Sequence, residues 1–142
     1  MKTFCIVGIL LLSFSAAMAQ QQPPQPDPFA GNLFSPELIM QHQQTLGLSE
    51  EQKNFLKAEL RKTQTRLTEL QWDLQEEFEK LAALIKQDQV DEAQTLTQLD
   101  KVLNVEREIK RTHIGLLARI KNKLTPEQQG RLREIAGKQT GK

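Results

Sequence analysis

The chain has 142 residues, of which 38% are hydrophobic, 5% aromatic and 26% charged, and its 19 Lys and Arg against 18 Asp and Glu give a formal net charge of +1. That length suits one domain, and the near balance of charge excludes a nucleic-acid binder built on a uniformly basic surface. Seven Gly and six Pro are too few for a collagen-like or wholly disordered chain.

Lys2 precedes an apolar run from Phe4 to Phe14, and Ala17-Met18-Ala19 has the small-residue spacing of a signal-peptidase site. A run of about 11 residues is well short of a bilayer span. Residues 1–19 are therefore expected to be a cleavable signal peptide, with an exported mature chain that does not span a membrane. Cys5, the one cysteine, leaves with the signal, so neither a disulfide nor a thiolate site is expected. Next, Gln20-Gln-Gln-Pro-Pro-Gln-Pro-Asp-Pro28 places four prolines in nine residues. Residues 20–34 read as a disordered, Gln/Pro-rich leader.

From Ser35 onward every signal is helical. Ser35-Pro36-Glu37 supplies an N-cap, a proline at the first helical position and an acid in the first turn. A short first helix carries Leu38, Ile39, His42 and Leu46, and Gly47 is expected to end it. Ser49 and Gln52 have capping-box spacing and start a long second helix. Its stripe reads Leu56, Leu60, Thr63, Leu67, Leu70, Leu74, Phe78, Leu81 and Ile85, 29 residues in eight steps, or about 3.6 per step, the period of a straight α-helix. With no Gly or Pro from Ser49 to Lys86, the rod should be roughly 55 Å long.

Gln87-Asp88-Gln89 marks a reversal, and Asp91 with Gln94 starts a third helix running to about Asn122, with Leu96, Leu99, Val102/Leu103, Ile109, His113, Leu116/Leu117, Ile120 and Leu124 on its apolar side. A fourth, short helix is capped by Leu124-Thr125-Pro126-Glu127-Gln128 and is expected to stop at Gly137, leaving 138–142 as a flexible tail. The expected fold is all-α: four helices, short-long-long-short, with residues 35–137 forming an extended antiparallel hairpin.

Two helix starts share one pattern. Leu48-Ser49-Glu50-Glu51-Gln52 and Leu124-Thr125-Pro126-Glu127-Gln128 both read Leu-[Ser/Thr]-x-Glu-Gln and bracket the two long helices. On these residues (Leu48, Ser49, Gln52; Leu124, Thr125, Gln128) the sequence resembles the Spy/CpxP family, whose signature is Leu-Thr-x-x-Gln and whose relatives include zinc-resistance-associated proteins and heavy-metal sensors. The resemblance covers residues 35–137, with Ser49 where Thr is usual. It implies a cradle-shaped homodimer in the periplasm, acting either as an ATP-independent chaperone for unfolded or misfolded envelope proteins or as a stress or metal sensor. A sensor would engage a partner such as a sensor kinase or a membrane-bound regulator.

The charges are strongly divided along the chain. Residues 69–100 hold nine acids against two bases, and residues 101–142 hold eleven bases against four acids. Folding back near Asp88 would give the hairpin an acidic tip and a basic base. Phe55, Arg61, Lys62, Arg66, Trp72, Lys110, Arg111, Ile114 and Leu117 are the candidate client-binding residues, because charge attracts a client at long range while scattered apolar groups grip it weakly.

The histidines His42 and His113 are the candidate metal ligands, for a divalent ion such as Zn, Ni or Cu. A structural site commonly needs four ligands, yet Leu117 occupies the position one turn after His113 and Thr63 supplies no carboxylate to the second helix. No metal or other cofactor is therefore expected to be required. An enzyme is not expected either, for the mature chain has no nucleophile motif and no Gly-rich phosphate loop.

Overall fold

The computed structural model describes Phe29 and residues 31–140; the expected signal peptide and the leader as far as Pro28 lie outside the described residues. Among the described residues there are four helices and no strand: α1 (Pro36–Gln41), α2 (Glu50–Ile85), α3 (Glu92–Lys123) and α4 (Pro126–Thr140). The short-long-long-short order is as expected, and the 36 residues of α2 make a rod of about 54 Å.

Each start has its local cause. The Ser35 hydroxyl accepts from the Leu38 N–H, with Pro36 at the first helical position. Ser49 and Gln52 form a complete capping box, and the Asp91 carboxylate accepts from the Gln94 N–H at 3.0 Å. These contacts satisfy donors that a helix N-terminus otherwise leaves unpaired.

The two long helices pair antiparallel, and three cross-links fix their register. Gln98 Nε2 donates to the Glu77 carbonyl at 3.0 Å near the tip, Arg119 pairs with Glu59 at 2.6 Å lower down, and Lys123 pairs with Glu51 at 2.6 Å at the base. The seam buries Leu56, Thr63, Leu70 and Leu81 of α2 against Gln98, Val102, Leu116 and Ile120 of α3. Leu56, Thr63 and Leu70 are seven apart, the repeat of a coiled coil. Phe78 and Ile85, which the stripe read from sequence includes, are exposed. By helical spacing Phe78 and Ile85 lie to one side of the line through Leu70 and Leu81, beside the seam rather than in it.

At the base, α1 and α4 dock on the hairpin around one core. Phe34, Ile39, Leu46, Leu48, Leu56, Leu116, Ile120, Leu124 and Leu132 are buried together there.

Three local expectations are corrected. Phe34 is in the core and Leu33 is half-buried, so packing begins before Ser35. The first helix ends at Gln41, and a turn of 42–47 follows it; Gly47, at φ +62°, closes that turn rather than the helix, a conformation that costs glycine little. Gly137 does not stop α4, which continues to Thr140; with its φ not positive, nothing reverses the backbone there.

Candidate functional site

The two shared motifs meet at the base and clasp each other. Within each, the Gln side chain accepts from the N-cap backbone N–H (Ser49 to Gln52 Oε1 at 3.0 Å, Thr125 to Gln128 Oε1 at 2.9 Å), while the hydroxyl accepts from the Gln N–H. Each amide NH2 then reaches outward. Gln52 Nε2 donates to the Lys123 carbonyl at 2.9 Å and to Gln128 Oε1 at 2.8 Å; Gln128 Nε2 donates to the Leu46 carbonyl at 3.3 Å and to Gln52 Oε1 at 3.1 Å. One residue thus caps its own helix and ties it to the other motif. Glutamate could cap as well, but it has no N–H to donate. Leu48 and Leu124, which open the motifs, are both buried in the basal core. The six motif residues are therefore architectural: they fix the angle at which α1 and α4 meet the hairpin.

A two-helix layer buries its seam and leaves both flanks to solvent. One flank is apolar. Near the base it forms a groove of about 700 Å³, lined by Leu60, Thr63, Gln64 and Leu67 from α2 and by His113, Ile114, Leu116 and Leu117 from α3, and bounded by Phe29, Leu33 and Ser35, Pro36 and Glu37. Helical spacing carries the same face toward the tip. Seven residues on from Leu67 lies Leu74, with Phe78 and Ile85 beyond it; sevens counted back from Leu117 give Lys110, Leu103 and Leu96. Phe78, Leu103, Leu96 and Ile85 are exposed, the last two at 51% and 56%.

The opposite flank is polar. Asp73, Glu76 and Glu77 of α2 face Lys101 and Asn104 of α3 there, and Gln94, Thr97 and Gln98 lie nearer the tip. On this side Lys80 pairs with both Glu76 and Glu77 at 2.8 Å. Hydrogen bonds from Lys80, and then from Gln98, hold the Glu77 carboxyl below its ordinary range, and the two carboxylates push the Lys80 ammonium above its own. At the base, the hydrogen bond from Lys123 lowers Glu51 in the same way. That ammonium also sits over the Phe55 ring, 5.4 Å from its centre.

The register sharpens the charge division. Glu77 beside Gln98 and Glu59 beside Arg119 place residue 69 roughly level with residue 106. The tip half, 69–106, has ten acids against three bases, whereas 49–68 and 107–123 together have eleven bases against four acids.

The sequence-derived client-binding residues fall on several surfaces. Ile114 and Leu117 line the apolar groove. Lys110 and Arg111 border a shallow recess beside Ile114 and Gly115, and Arg61 and Trp72 border another along α2 that also includes Glu69. Lys62 is exposed, and Arg66 is held by Glu69 at 3.1 Å. Phe55 is half-buried under Lys123 rather than free. Phe78, Ile85, Leu96 and Leu103, which the sequence places on the apolar sides of the long helices, are exposed. The signal for this exposure was the width of the stripe, since two helices alone bury about half of what the pattern supplies.

Of the two candidate metal ligands, His113 lines the basal groove with Glu37, and His42 is half-buried in the turn after α1. His113 is itself exposed, not packed between Ile109 and Leu116 as its position in the stripe suggests. Among the described residues no group of three or more His, Cys, Asp or Glu is placed to hold a metal ion, and no helix is long and apolar enough to cross a membrane.

Residues 3–131 match the family described as heavy-metal resistance. No curated protein and no solved structure matches the chain.

Proposed function

The chain belongs to the heavy-metal-resistance family, which takes in the Spy/CpxP-like and zinc-resistance-associated proteins, and we propose that it serves metal resistance by holding protein segments on the apolar face of the α2–α3 hairpin. The family match changes the order of the two sequence expectations. Metal resistance comes first as the role, and chaperone-like holding becomes the proposed means.

The observation that carries this reading is the uncovered apolar flank from Leu60 and Leu117 to Ile85 and Leu96, set between ends of opposite charge. An apolar face with charged margins can hold exposed chains without nucleotide. In this reading the protein is exported to the periplasm, is not an enzyme, and its partners are unfolded envelope proteins. The charge division further favours pairing of two copies, tip against base. The test is aggregation of a client protein driven by Zn²⁺ or Cu²⁺, with and without equimolar protein. Suppression of aggregation that persists when a chelator replaces the metal and heat drives unfolding supports holding. Suppression abolished by the chelator points instead to metal capture.

That second reading has its own support in the family match and in Glu37 and His113, which share one groove. A sensor or resistance protein of this kind would bind the ion and pass the signal to a regulatory partner. Calorimetry with Zn²⁺, Ni²⁺ and Cu²⁺ decides it: micromolar binding lost in His113→Ala, Glu37→Gln or His42→Ala establishes metal capture, and heat no greater than dilution removes it.

A further inference from the structure

The apolar face is electrically divided, and the division specifies what fits it. Toward the tip, Asp88, Glu92 and Asp100 have no ion-pair partner among the described residues and outnumber the unpaired Lys86 and Lys101; toward the base, Arg61, Arg107 and Lys110 have none. Between the two ends runs the strip from Leu60 to Ile85 on α2, 25 residues or about 38 Å long. Its α3 side repeats every seven residues, at Leu96, Leu103, Lys110 and Leu117. Two helices side by side leave a lengthwise groove into which a third packs at 8–10 Å.

Resting on the holding function proposed above, we propose that the preferred occupant of this face is an amphipathic helix of a partner protein, about 25 residues long, with its charges divided between its ends. Its apolar stripe lies along Leu67, Leu74, Phe78 and Leu103, its acidic end lies over the base and its basic end over the tip. The fit is one of charge complementarity. In the opposite orientation, acid would face Asp88, Glu92 and Asp100 and base would face Arg61 and Lys110, so the face selects a direction as well as a partner. Mixed charges along the same helix would gain at one end and lose at the other.

Synthetic 25-residue peptides with one apolar stripe test this against the full chain by fluorescence anisotropy. One peptide carries Glu in one half and Lys in the other, in both chain directions so that the helix macrodipole cancels in the comparison; its isomer has the same composition with the charges interleaved. The divided peptide should bind at least about tenfold more tightly at low salt, and the gap should close as added salt screens the charges. A nitroxide on its acidic end should broaden the methyl signals of Leu60 and Leu117, and one on its basic end those of Ile85 and Leu96. Equal affinity for both isomers, with an unfolded client still held, overturns the proposal and leaves the holding function standing. Neither peptide nor client binding overturns both. Exclusion of both peptides by a dimer that sedimentation detects assigns the face to a second copy and also overturns the proposal.

Discussion

Gln52 and Gln128 explain why the shared motif ends in glutamine. Each amide oxygen caps a backbone N–H while each NH2 crosses to the other motif, and Gln128 is buried as it does so. Gln128→Glu keeps the cap but leaves the Leu46 carbonyl and Gln52 Oε1 facing a carboxylate. It should cost about 1–3 kcal/mol of stability at neutral pH, read as a lower urea midpoint, with part of the loss recovered at low pH as the carboxyl takes up a proton. Gly115 gives the opposite expectation. It lies mid-helix, where glycine costs up to about 1 kcal/mol against alanine, and an added Cβ would meet only Arg119 Nη1, at 3.1 Å. That atom is the end of a flexible side chain, so Gly115→Ala should raise the melting temperature while the Glu59–Arg119 pair adjusts.

At the scale of the helix, the contrast between seam and face is the claim most open to mutation. Leu70 is fully enclosed and Phe78, two turns on, is not. Leu70→Ala should cost about 2–4 kcal/mol, whereas Phe78→Ser should cost under about 1 kcal/mol and reduce binding of an apolar dye. A 3.6 stripe with all of its members buried would make the two variants equally damaging. The ion pairs set the pH response, Glu51–Lys123 between the long helices and Lys80 with Glu76 and Glu77 within α2. Glu51 and Glu77 have carboxyls lowered from their ordinary 4.5, so their contribution is fully present above that value and is lost as pH falls through the lowered pKa values. Lys80 has its pKa raised from 10.5, so its contribution is present below that value and is lost only as pH rises above it. Thermal stability should therefore be flat from pH 5 to pH 9 as far as these groups decide it and should fall at more acidic pH; a maximum near pH 4 would contradict these pairings.

For the molecule as a whole, sequence reasoning reached the helix count, the order, the reversal near Asp88 and the four N-caps, because caps and apolar periodicity are local signals. It did not show that Phe78, Ile85, Leu96 and Leu103 are exposed, because periodicity identifies an apolar face without showing how many neighbours exist to cover it. Gly137 misled for a related reason: glycine permits a reversal but does not require one, and α4 runs through it. The Gln52–Gln128 clasp joins residues 76 apart, a distance that no capping rule spans. The acidic and basic ends were visible as composition, yet only the register of Glu77 with Gln98 and Glu59 with Arg119 placed them at opposite ends of one thin body. With its largest core cluster at the base, a single buried seam beyond it and one apolar flank left open, the molecule is built to expose surface along most of its length.

The measurement that bears most directly on this account compares the wild-type chain with a Phe78→Ser, Leu103→Ser double variant in suppressing aggregation of a chemically unfolded client. Matched circular dichroism and melting curves would first establish that the fold is kept. The wild type should suppress aggregation at equimolar ratio without nucleotide, and the variant should lose more than about half of that protection, consistent with loss of two exposed side chains from the binding face. A variant that protects the client as well as the wild type does would show that the apolar face of the hairpin is not where proteins are held.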